Sequence, residues 1–363
     1  MENHGFRRFM LRTALALSPL AAYLALYILL DPFGVVHPYD GVSVHPGDTL
    51  ERIPNKRYVA VEGLKFHGAE KDYDSFVFGS SLSTNFTASA WGHHLPDTSC
   101  IYHFTAGAEP LVGIRDELRY LFDRGETVRH VLLVMEEEMY RRPKRYSEMP
   151  YVPHYEVSPD VSWLDFHLVH FNAYRDPELF LYSLWPELVA DRLVPDGKMQ
   201  PVPVSGHDEL TNEDRNDAKD SLILADPDSY FSSVPWLVEM QALPNPMPLV
   251  IEGDSEALLR EIADMLKAHG VDYLVIVPPR FRTQGLLPLD RALLYEIMGS
   301  RNVHDFSEDS VLVHDLHSYY DGMHILIHRC NELIDRSYNE QKLPLRYPDE
   351  WQEATNNDTI RKK

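Results

Sequence analysis

The amino-acid sequence predicts an α/β fold in which a mainly parallel sheet is flanked by helices and preceded by an N-terminal transmembrane helix. Short apolar segments typical of buried strands recur along the chain, at residues 75–78, 100–104, 131–135, 273–277 and 303–306. Segments with apolar residues at helical spacing alternate with them, at residues 110–124, 256–269 and 289–298. Strands that alternate with helices imply parallel β-α-β units, with helices on both faces of one sheet.

The first 35 residues are predicted to anchor the chain in a membrane. Residues 13–30 carry no charge and consist mostly of Leu, Ala and Tyr, at the short end of what spans a bilayer. Arg7, Arg8 and Arg12 precede this segment and Asp31 follows it. This asymmetry predicts a single pass through the inner (cytoplasmic) membrane, with the N-terminus in the cytoplasm. A cleaved signal peptide is the competing interpretation, but no small-x-small cleavage site follows the apolar segment. A buried core helix is disfavoured by the terminal position and the flanking charges.

Composition limits the classes of partner. The 363 residues and the 44% hydrophobic content suffice for one large α/β domain. A formal charge of −22 argues against nucleic acid and against anionic lipid headgroups as partners. Cys100 and Cys330 are too few for a disulfide scaffold, and two unpaired buried thiols are favoured over a pair. No cofactor and no metal are predicted.

The α/β domain is predicted to cover residues 71–345, with an insertion inside it. Residues 36–70 contain many prolines, glycines and charges and are predicted to form an extended connector. The alternation of strands and helices stops after the third strand. Residues 141–248 are therefore interpreted as an insertion, with one helical stretch at about 162–193, that covers the site or binds a partner. The polar residues 346–363 are predicted to be a disordered tail.

The stretch from Asp74 to Ser83 is central to the functional prediction. Its apolar strand runs directly into Gly79, Ser80 and Ser81, where a glycine lets the backbone turn sharply. Open α/β sheets bind their ligands at the carboxyl edge of the strands. A serine presented at that edge can act as a nucleophile if a base reaches it.

The base is expected about 240 residues downstream, in the sequence Asp-Gly-Met-His at 321–324. This motif is predicted to open the last helix, which runs to about Asn339, so that both side chains lie on one side of the first turn. The carboxylate can then orient one ring nitrogen while the other faces the serine. An isolated Asp-x-x-His pair more often has only a capping role, but here it follows the last predicted strand. His314 and Asp315 form a rival pair with a less favourable position relative to the helix start.

These two motifs resemble those of the SGNH hydrolase superfamily, also called GDSL-like. The family's first block, Gly-Asp-Ser, is matched by Gly-Ser-Ser at 79–81, and its last block, Asp-x-x-His, is matched at 321–324. The Gly-Ser-Ser version is similar to that of membrane-anchored bacterial proteins resembling the D-alanine transfer protein of teichoic acid modification and the alginate O-acetyltransferases. The resemblance covers roughly residues 70–135 and 250–335, and it implies a three-layer sandwich of the flavodoxin-like kind.

The resemblance also implies roles for individual residues. Ser81 would be the nucleophile, His324 the base and Asp321 the orienting acid. Gly107, which follows the second strand, matches the glycine of the family's second block. Its backbone N–H and that of Ser81 would stabilise the oxyanion. The asparagine of the third block has no counterpart, because Met135 is followed by three glutamates.

Two charged groups near the same predicted edge are less specific signals. Arg280 follows the fourth strand and could bind an anionic part of a substrate, although a surface arginine without such a role is the more common case. Glutamates 136–138 follow the third strand, and a solvated acidic loop is favoured over a metal site because no ligand spacing supports one.

Together, these patterns predict serine-dependent acyl transfer or ester hydrolysis on a cell-envelope or exported polysaccharide, by an extracytoplasmic (periplasmic) domain. A membrane acyl-donor protein is a candidate partner. Transferase and esterase use the same residues, so the sequence does not separate them. Two non-enzymatic alternatives stay open: a catalytically inactive scaffold that docks on a membrane partner, and a glycan-binding module.

Overall fold

The centre of the fold is a sheet of five parallel strands, in a computed structural model that describes residues 3–41, 55–142, 144–185, 206–233, 250–283 and 285–340. In chain order the strands are β1 (Ser75–Gly79), β2 (Ile101–Thr105), β3 (His130–Val134), β4 (His207–Asp208), β5 (Glu213–Asp214), β6 (Asp272–Val277) and β7 (Val303–Asp305). The central sheet has the order β2-β1-β3-β6-β7, and β4 and β5 form a separate antiparallel hairpin. This strand order is that of doubly wound, flavodoxin-like sheets, which bind ligands where the order reverses, between β1 and β3.

Helices cover both faces of this sheet. The helices of the described residues are, in chain order, α1 (Asn3–Leu30), α2 (Lys56–His67), α3 (Ala88–Gly92), α4 (Leu111–Asp123), α5 (Glu137–Arg141), α6 (Trp163–Ala173), α7 (Pro177–Leu184), α8 (Asp217–Ala225), α9 (Pro227–Ser233), α10 (Asp254–Ala268), α11 (Pro288–Met298) and α12 (Ile327–Glu340). Successive strand residues point to opposite faces. Phe76 and Phe78 therefore lie in the apolar layer with α2, α4, α10 and α11, and Val77 lies in the layer with α3 and α12. The predicted α/β fold with helices on both faces is confirmed.

The prediction of an extended connector at 36–70 is wrong for α2. Asn55 caps this helix, because its side chain accepts the backbone N–H groups of Arg57 and Tyr58. Its apolar side packs into the core of the first layer. The buried positions of α2 recur at helical spacing, at Arg57, Ala60, Val61, Leu64 and His67, and the less buried charged residues Glu62 and Lys65 lie between them. Residues 42–54 of the predicted connector lie outside the described residues.

Within the described residues, parts of the insertion pack against the α/β domain and complete it. The hairpin of β4 and β5 covers the free edge of β2. The N–H of His103 donates to the carbonyl of Thr211 at 2.9 Å, and the Asn212 side chain donates to the His103 carbonyl at 2.6 Å. Covering an edge strand in this way prevents its unpaired backbone groups from joining another sheet.

The single helix predicted at 162–193 is two helices as far as residue 185. The first, α6, ends at Ala173, and α7 begins at Pro177. Proline disfavours helical backbone in the residue before it, which explains the interruption. Residues 186–193 and the predicted tail at 346–363 lie outside the described residues.

The N-terminal helix α1 is long and apolar enough to cross a membrane. Within Gly5–Leu30, the most apolar 18-residue window has a mean hydropathy of 1.9, and only 6% of that window is buried against the protein. The last two turns are the exception, since Tyr27 is 4% exposed in a cluster with Phe33 and Tyr174. Cys100 and Cys330 are not paired, and Cys330 is fully buried whereas Cys100 is half-buried.

Candidate active site

The turn that carries Ser81 is shaped by a glycine. Strand β1 ends at Gly79, and Ser81–Ser83 form one turn of 3₁₀ helix. A Cβ atom on Gly79 would lie 2.6 Å from Cβ of Ser83 and 2.8 Å from the carbonyl oxygen of Val134. The turn can therefore pack this closely against β3 only because residue 79 has no side chain.

Three side chains from opposite ends of the chain meet at this turn. Nε2 of His324 lies 2.8 Å from Oγ of Ser81, and Nδ1 of the same ring lies 2.8 Å from Oδ2 of Asp321. The side chains of His324 and Asp321 are 30% and 33% exposed, so the site is open to a ligand. A serine, an imidazole and a carboxylate in this sequence of contacts form the arrangement that activates a serine hydroxyl.

The loop that holds the imidazole is not the helix start that was predicted. Helix α12 begins at Ile327, three residues after His324. Gly322 has φ of +69°, which takes the chain out of helical geometry. The Asp321 carboxylate accepts the backbone N–H groups of Met323 at 3.1 Å and of His324 at 2.9 Å, as in an Asx turn.

These contacts also set the charge of Asp321. Burial alone would raise the pKa of its carboxyl group. The hydrogen bonds from the His324 ring and from two backbone N–H groups outweigh burial and lower the pKa. The carboxylate is therefore held ionised, which is the form that can stabilise a protonated imidazole.

The insertion fixes the far side of this loop. Asp220 of α8 accepts the backbone N–H of Ile327 at 3.1 Å and is hydrogen-bonded to the hydroxyl group of Tyr320. The N–H of Tyr320 in turn donates to the His324 carbonyl at 2.8 Å. Burial raises the pKa of Asp220 to about 6, against the opposing effect of the Ile327 N–H. Helix α8 is therefore tied both to the start of α12 and to the loop that carries His324.

The sheet register aligns the last residues of β2, β1 and β3, and a residue of functional interest follows each of these strand ends. Gly79 pairs with the last residue of β2 and with the last residue of β3. Ser81, Gly107 and Glu136 each lie two residues beyond that row. Because neighbouring strands are about 4.8 Å apart, the loops that carry these residues begin side by side at the carboxyl edge of the sheet.

Gly107 is held by a buried arginine from α2. The guanidinium group of Arg57 donates to the Gly107 carbonyl at 3.0 Å and forms an ion pair with Glu109 at 2.7 Å. The Arg57 and Glu109 side chains are 5% and 2% exposed. Ala108, between the two contacts, has φ of +53°, an uncommon conformation for a residue with a side chain. The buried ion pair thus keeps the loop after β2 in one conformation.

Glu136 occupies the position at which the resemblance expects a third oxyanion donor. One carboxyl oxygen accepts the hydroxyl group of Ser80, and that hydroxyl oxygen accepts the N–H of Leu82 at 3.2 Å. The other carboxyl oxygen is enclosed and has no hydrogen-bond partner among the described residues. Burial raises the pKa of Glu136, although the Ser80 hydrogen bond and the charges of Arg280 and His324 lower it. Glu136 therefore supports the turn that carries Ser81 through its hydrogen bond with Ser80.

The prediction of a solvated acidic loop at 136–138 is wrong for its first two residues, since Glu136 and Glu137 are each 7% exposed. Arg280 lies near them, with Nη1 3.9 Å from the Glu137 carboxylate. That carboxylate therefore partly neutralises the charge of Arg280. The rival pair is not assembled, because Asp315 bonds to the N–H of His317 and to the hydroxyl group of Ser318.

Three supporting residues were not identified from the sequence: Arg57, Glu136 and Asp220. The signal for Arg57 was the helical spacing of buried positions after Asn55, an N-cap residue. Glu136 lies two residues after the end of β3, as Ser81 lies two residues after the end of β1, which placed it at the same edge. Nothing in the sequence paired Asp220 with α12.

No protein-family model matches this sequence, and no curated protein matches it.

Proposed function

We propose that this protein is a serine-dependent acyltransferase or esterase of SGNH type that acts on a cell-envelope or exported polysaccharide outside the cytoplasmic membrane. The observation that carries the proposal is the 2.8 Å contact between His324 Nε2 and Ser81 Oγ, with Asp321 on the other ring nitrogen. These groups are separated by 243 positions in the chain. Each lies where an α/β sheet places ligand-binding residues.

In the proposed first half-reaction, Oγ of Ser81 attacks the carbonyl carbon of an acyl donor. Nε2 of His324 takes the hydroxyl proton, and Asp321 stabilises the resulting imidazolium. The tetrahedral intermediate collapses when the bond to the leaving group breaks. The leaving group receives the proton from His324, and an ester on Ser81 remains.

In the second half-reaction, a hydroxyl group attacks the acyl-serine. His324 takes the proton from that hydroxyl group and returns it to Oγ of Ser81 as the ester bond breaks. If the hydroxyl group belongs to a sugar, the product is an acylated polysaccharide; if it belongs to water, the product is a free acid. The side chains involved are the same, so only competition between the two acceptors decides the outcome.

Backbone donors are proposed to stabilise the oxyanion. Ser81 and Gly107 each lie two residues beyond the paired strand ends Gly79 and Thr105, and neither backbone N–H donates to an acceptor in the described part of the chain. Arg57 holds the Gly107 loop from behind. Preorganised N–H groups of this kind contribute about 10²–10³-fold each to the rate of acyl transfer.

The test uses the full-length protein in detergent and a fluorophosphonate probe, which labels activated serines covalently. Ser81→Ala and His324→Ala are expected to abolish labelling, and Asp321→Asn to slow it by up to about 10⁴-fold. Two matched controls, Ser89→Ala at an exposed serine and His314→Ala in the rival pair, are expected to label like the parent. Labelling that survives Ser81→Ala would reject Ser81 as the nucleophile.

A catalytically inactive scaffold is the second candidate, and Glu136 is the observation that favours it. The third donor position holds a carboxyl group that is committed to Ser80, and loss of one donor alone costs about 10²–10³-fold in rate. A folded full-length protein that never labels would support the scaffold.

For the enzyme, Ser81→Ala should also reduce the acyl content of the envelope glycan in cells.

A further inference from the structure

Helix α6 exposes an apolar stripe. Leu164 and Leu168 are 58% and 46% exposed, and Trp163 beside them is 58% exposed. The opposite side of the same helix is buried in the domain, where Phe166 stacks on Tyr58 of α2 at a ring distance of 5.5 Å. The helix is therefore firmly held, and its outward side is apolar without being covered by the described part of this chain.

The stripe leads directly to α1. Phe171, which lies three residues beyond Leu168 on the same side, contacts Tyr23 at 5.8 Å and Tyr27 at 5.3 Å between ring centroids. The hydroxyl group of Tyr23 donates to the carbonyl of Tyr174 at 2.6 Å. From Phe171 to Leu164 is seven residues, so the stripe extends about 10 Å along α6 from its contact with α1.

The position along α1 indicates what covers the stripe. Tyr23 lies seven residues, or about 10 Å, before the end of α1 at Leu30. Outward-facing residues of α1 at the same level are also apolar and exposed, with Leu20 at 58%, Leu24 at 44% and Ile28 at 43%. The exposed apolar surface of α1 thus continues onto α6. A bilayer that surrounds α1 up to Leu30 would therefore extend to the Phe171 end of the stripe.

Charge distinguishes a neutral bilayer from an anionic surface. Helix α6 contains no lysine or arginine and one acidic residue, Asp165. Amphipathic helices that bind through anionic headgroups carry basic residues on their polar side. Burial of apolar area, with tryptophan at headgroup depth, is the remaining source of affinity. Trp185, which follows α7, is 54% exposed and adds a second aromatic residue of this kind.

We propose that the stripe formed by Trp163, Leu164 and Leu168 lies beside α1 at the membrane–water interface, on the extracytoplasmic side of the membrane that α1 spans. This contact would fix the orientation of the domain on the bilayer. This inference rests on the proposed function only in requiring that α1 spans the membrane. It assigns to the first part of the insertion a membrane contact of about 5–10 Å depth. The site on Ser81 would then be held at a fixed height above the bilayer.

The test reconstitutes the full-length protein in vesicles of phosphatidylcholine brominated on the acyl chain near the headgroup. Bromine quenches tryptophan fluorescence on contact. The parent protein is expected to be quenched relative to unbrominated vesicles, and a Trp163→Phe, Trp185→Phe double variant to lose that quenched component. Trp91→Phe is the matched control, because Trp91 is 1% exposed in the core and its removal should leave the quenched component unchanged. Quenching is expected to be the same at low and high salt.

Three results would overturn the proposal, and each is separable from a failure of the proposed function. Equal quenching of the parent and the double variant would mean that the stripe does not touch lipid. An unquenched protein that still floats with the vesicles, and that crosslinks to a second copy through position 164, would assign the stripe to a protein interface. A protein that does not float would show that α1 does not insert. Fluorophosphonate labelling of Ser81 in the same vesicles reports on the catalytic proposal independently of all three.

Discussion

Replacement of Asp220 by asparagine should make the protein more stable at neutral pH and leave it unchanged in acid. The Asp220 side chain is 7% exposed and accepts the N–H of Ile327, while the hydroxyl group of Tyr320 is its other partner. Burial raises its pKa to about 6 from an ordinary value of 3.8. An asparagine oxygen can still accept the N–H of Ile327, and the amide can donate to Tyr320. The substitution therefore removes the titration and keeps the contacts.

The sign and size follow from proton linkage. The folded protein binds a proton on Asp220 more tightly than the unfolded chain does, so protonation of Asp220 stabilises the fold. This stabilisation is complete below pH 4. That stability is lost as the pH rises through about 6. A shift of about 2 pKa units corresponds to at most about 3 kcal/mol. For a domain of this size the difference is roughly 5 °C in Tm.

The assay is thermal unfolding of full-length protein in detergent, measured for the parent and for Asp220→Asn from pH 4 to pH 8. The Tm difference should grow from near zero at pH 4 to roughly 5 °C above pH 7. Asp228→Asn is the control, since that side chain is 92% exposed and should show no such trend. A Tm difference between Asp220→Asn and the parent that is constant across the pH range would refute the linkage.

The other substitutions address the supporting residues of the site. Arg57→Met should destabilise the fold by about 3–5 kcal/mol, because it leaves Glu109 buried without its cation; adding Glu109→Gln should restore Tm but not the rate of fluorophosphonate labelling, since the Gly107 carbonyl still lacks its donor. Gly79→Ala should lower the free energy of unfolding by about 1–3 kcal/mol and slow labelling. Gly107→Ala should leave Tm unchanged, because its Cβ would meet only Tyr151, at 4.0 Å. Equal losses of stability in the two variants would contradict the steric account. Glu136→Ala should slow labelling about tenfold through loss of the Ser80 hydrogen bond, and Glu136→Gln, which keeps an acceptor, should not; a slow Gln variant would show that the carboxyl group acts otherwise.

The sheet and the position of the candidate site at its carboxyl edge could be predicted from the sequence because both depend on local patterns. Apolar segments such as 131–135 have few stable locations other than a buried strand, and parallel strands bring their carboxyl ends to one edge. Ser81 and Asp321–His324 each follow a predicted strand, so their proximity followed from topology. The 2.8 Å contact between His324 and Ser81 agrees with that expectation.

The errors have physical causes that are equally specific. Helix α2 was read as a connector because charged residues stand between its buried positions, and only the sheet surface that it covers shows which side is apolar. The start of α12 was placed too early because Gly322 ends the helical geometry that the spacing of Asp321 and His324 indicated. The burial of Glu136 depends on contacts that lie 56 positions away, at Ser80, and no local pattern encodes it.

The contact between α1 and the domain leads to a last prediction, on where a soluble fragment can begin. A fragment that starts at Val36 loses Tyr27, Phe33 and Val35, which are 4%, 2% and 3% exposed. It also loses Asp31, whose carboxylate caps the N–H groups of residues 35–37. At about 1.5–3 kcal/mol for each buried apolar side chain, the loss is about 5–9 kcal/mol, comparable to the whole stability of many domains.

A fragment that starts at Tyr23 keeps these residues and omits most of the apolar stretch of α1. We expect it to unfold cooperatively and to label with the fluorophosphonate probe, whereas the fragment from Val36 should have a much lower Tm or fail to fold. The same cluster contains Tyr58, the neighbour of Arg57, so its loss should also disturb the loop at Gly107 and slow labelling of any folded fraction. Equal Tm and equal labelling rates for the two fragments would show that α1 and the candidate site are structurally independent.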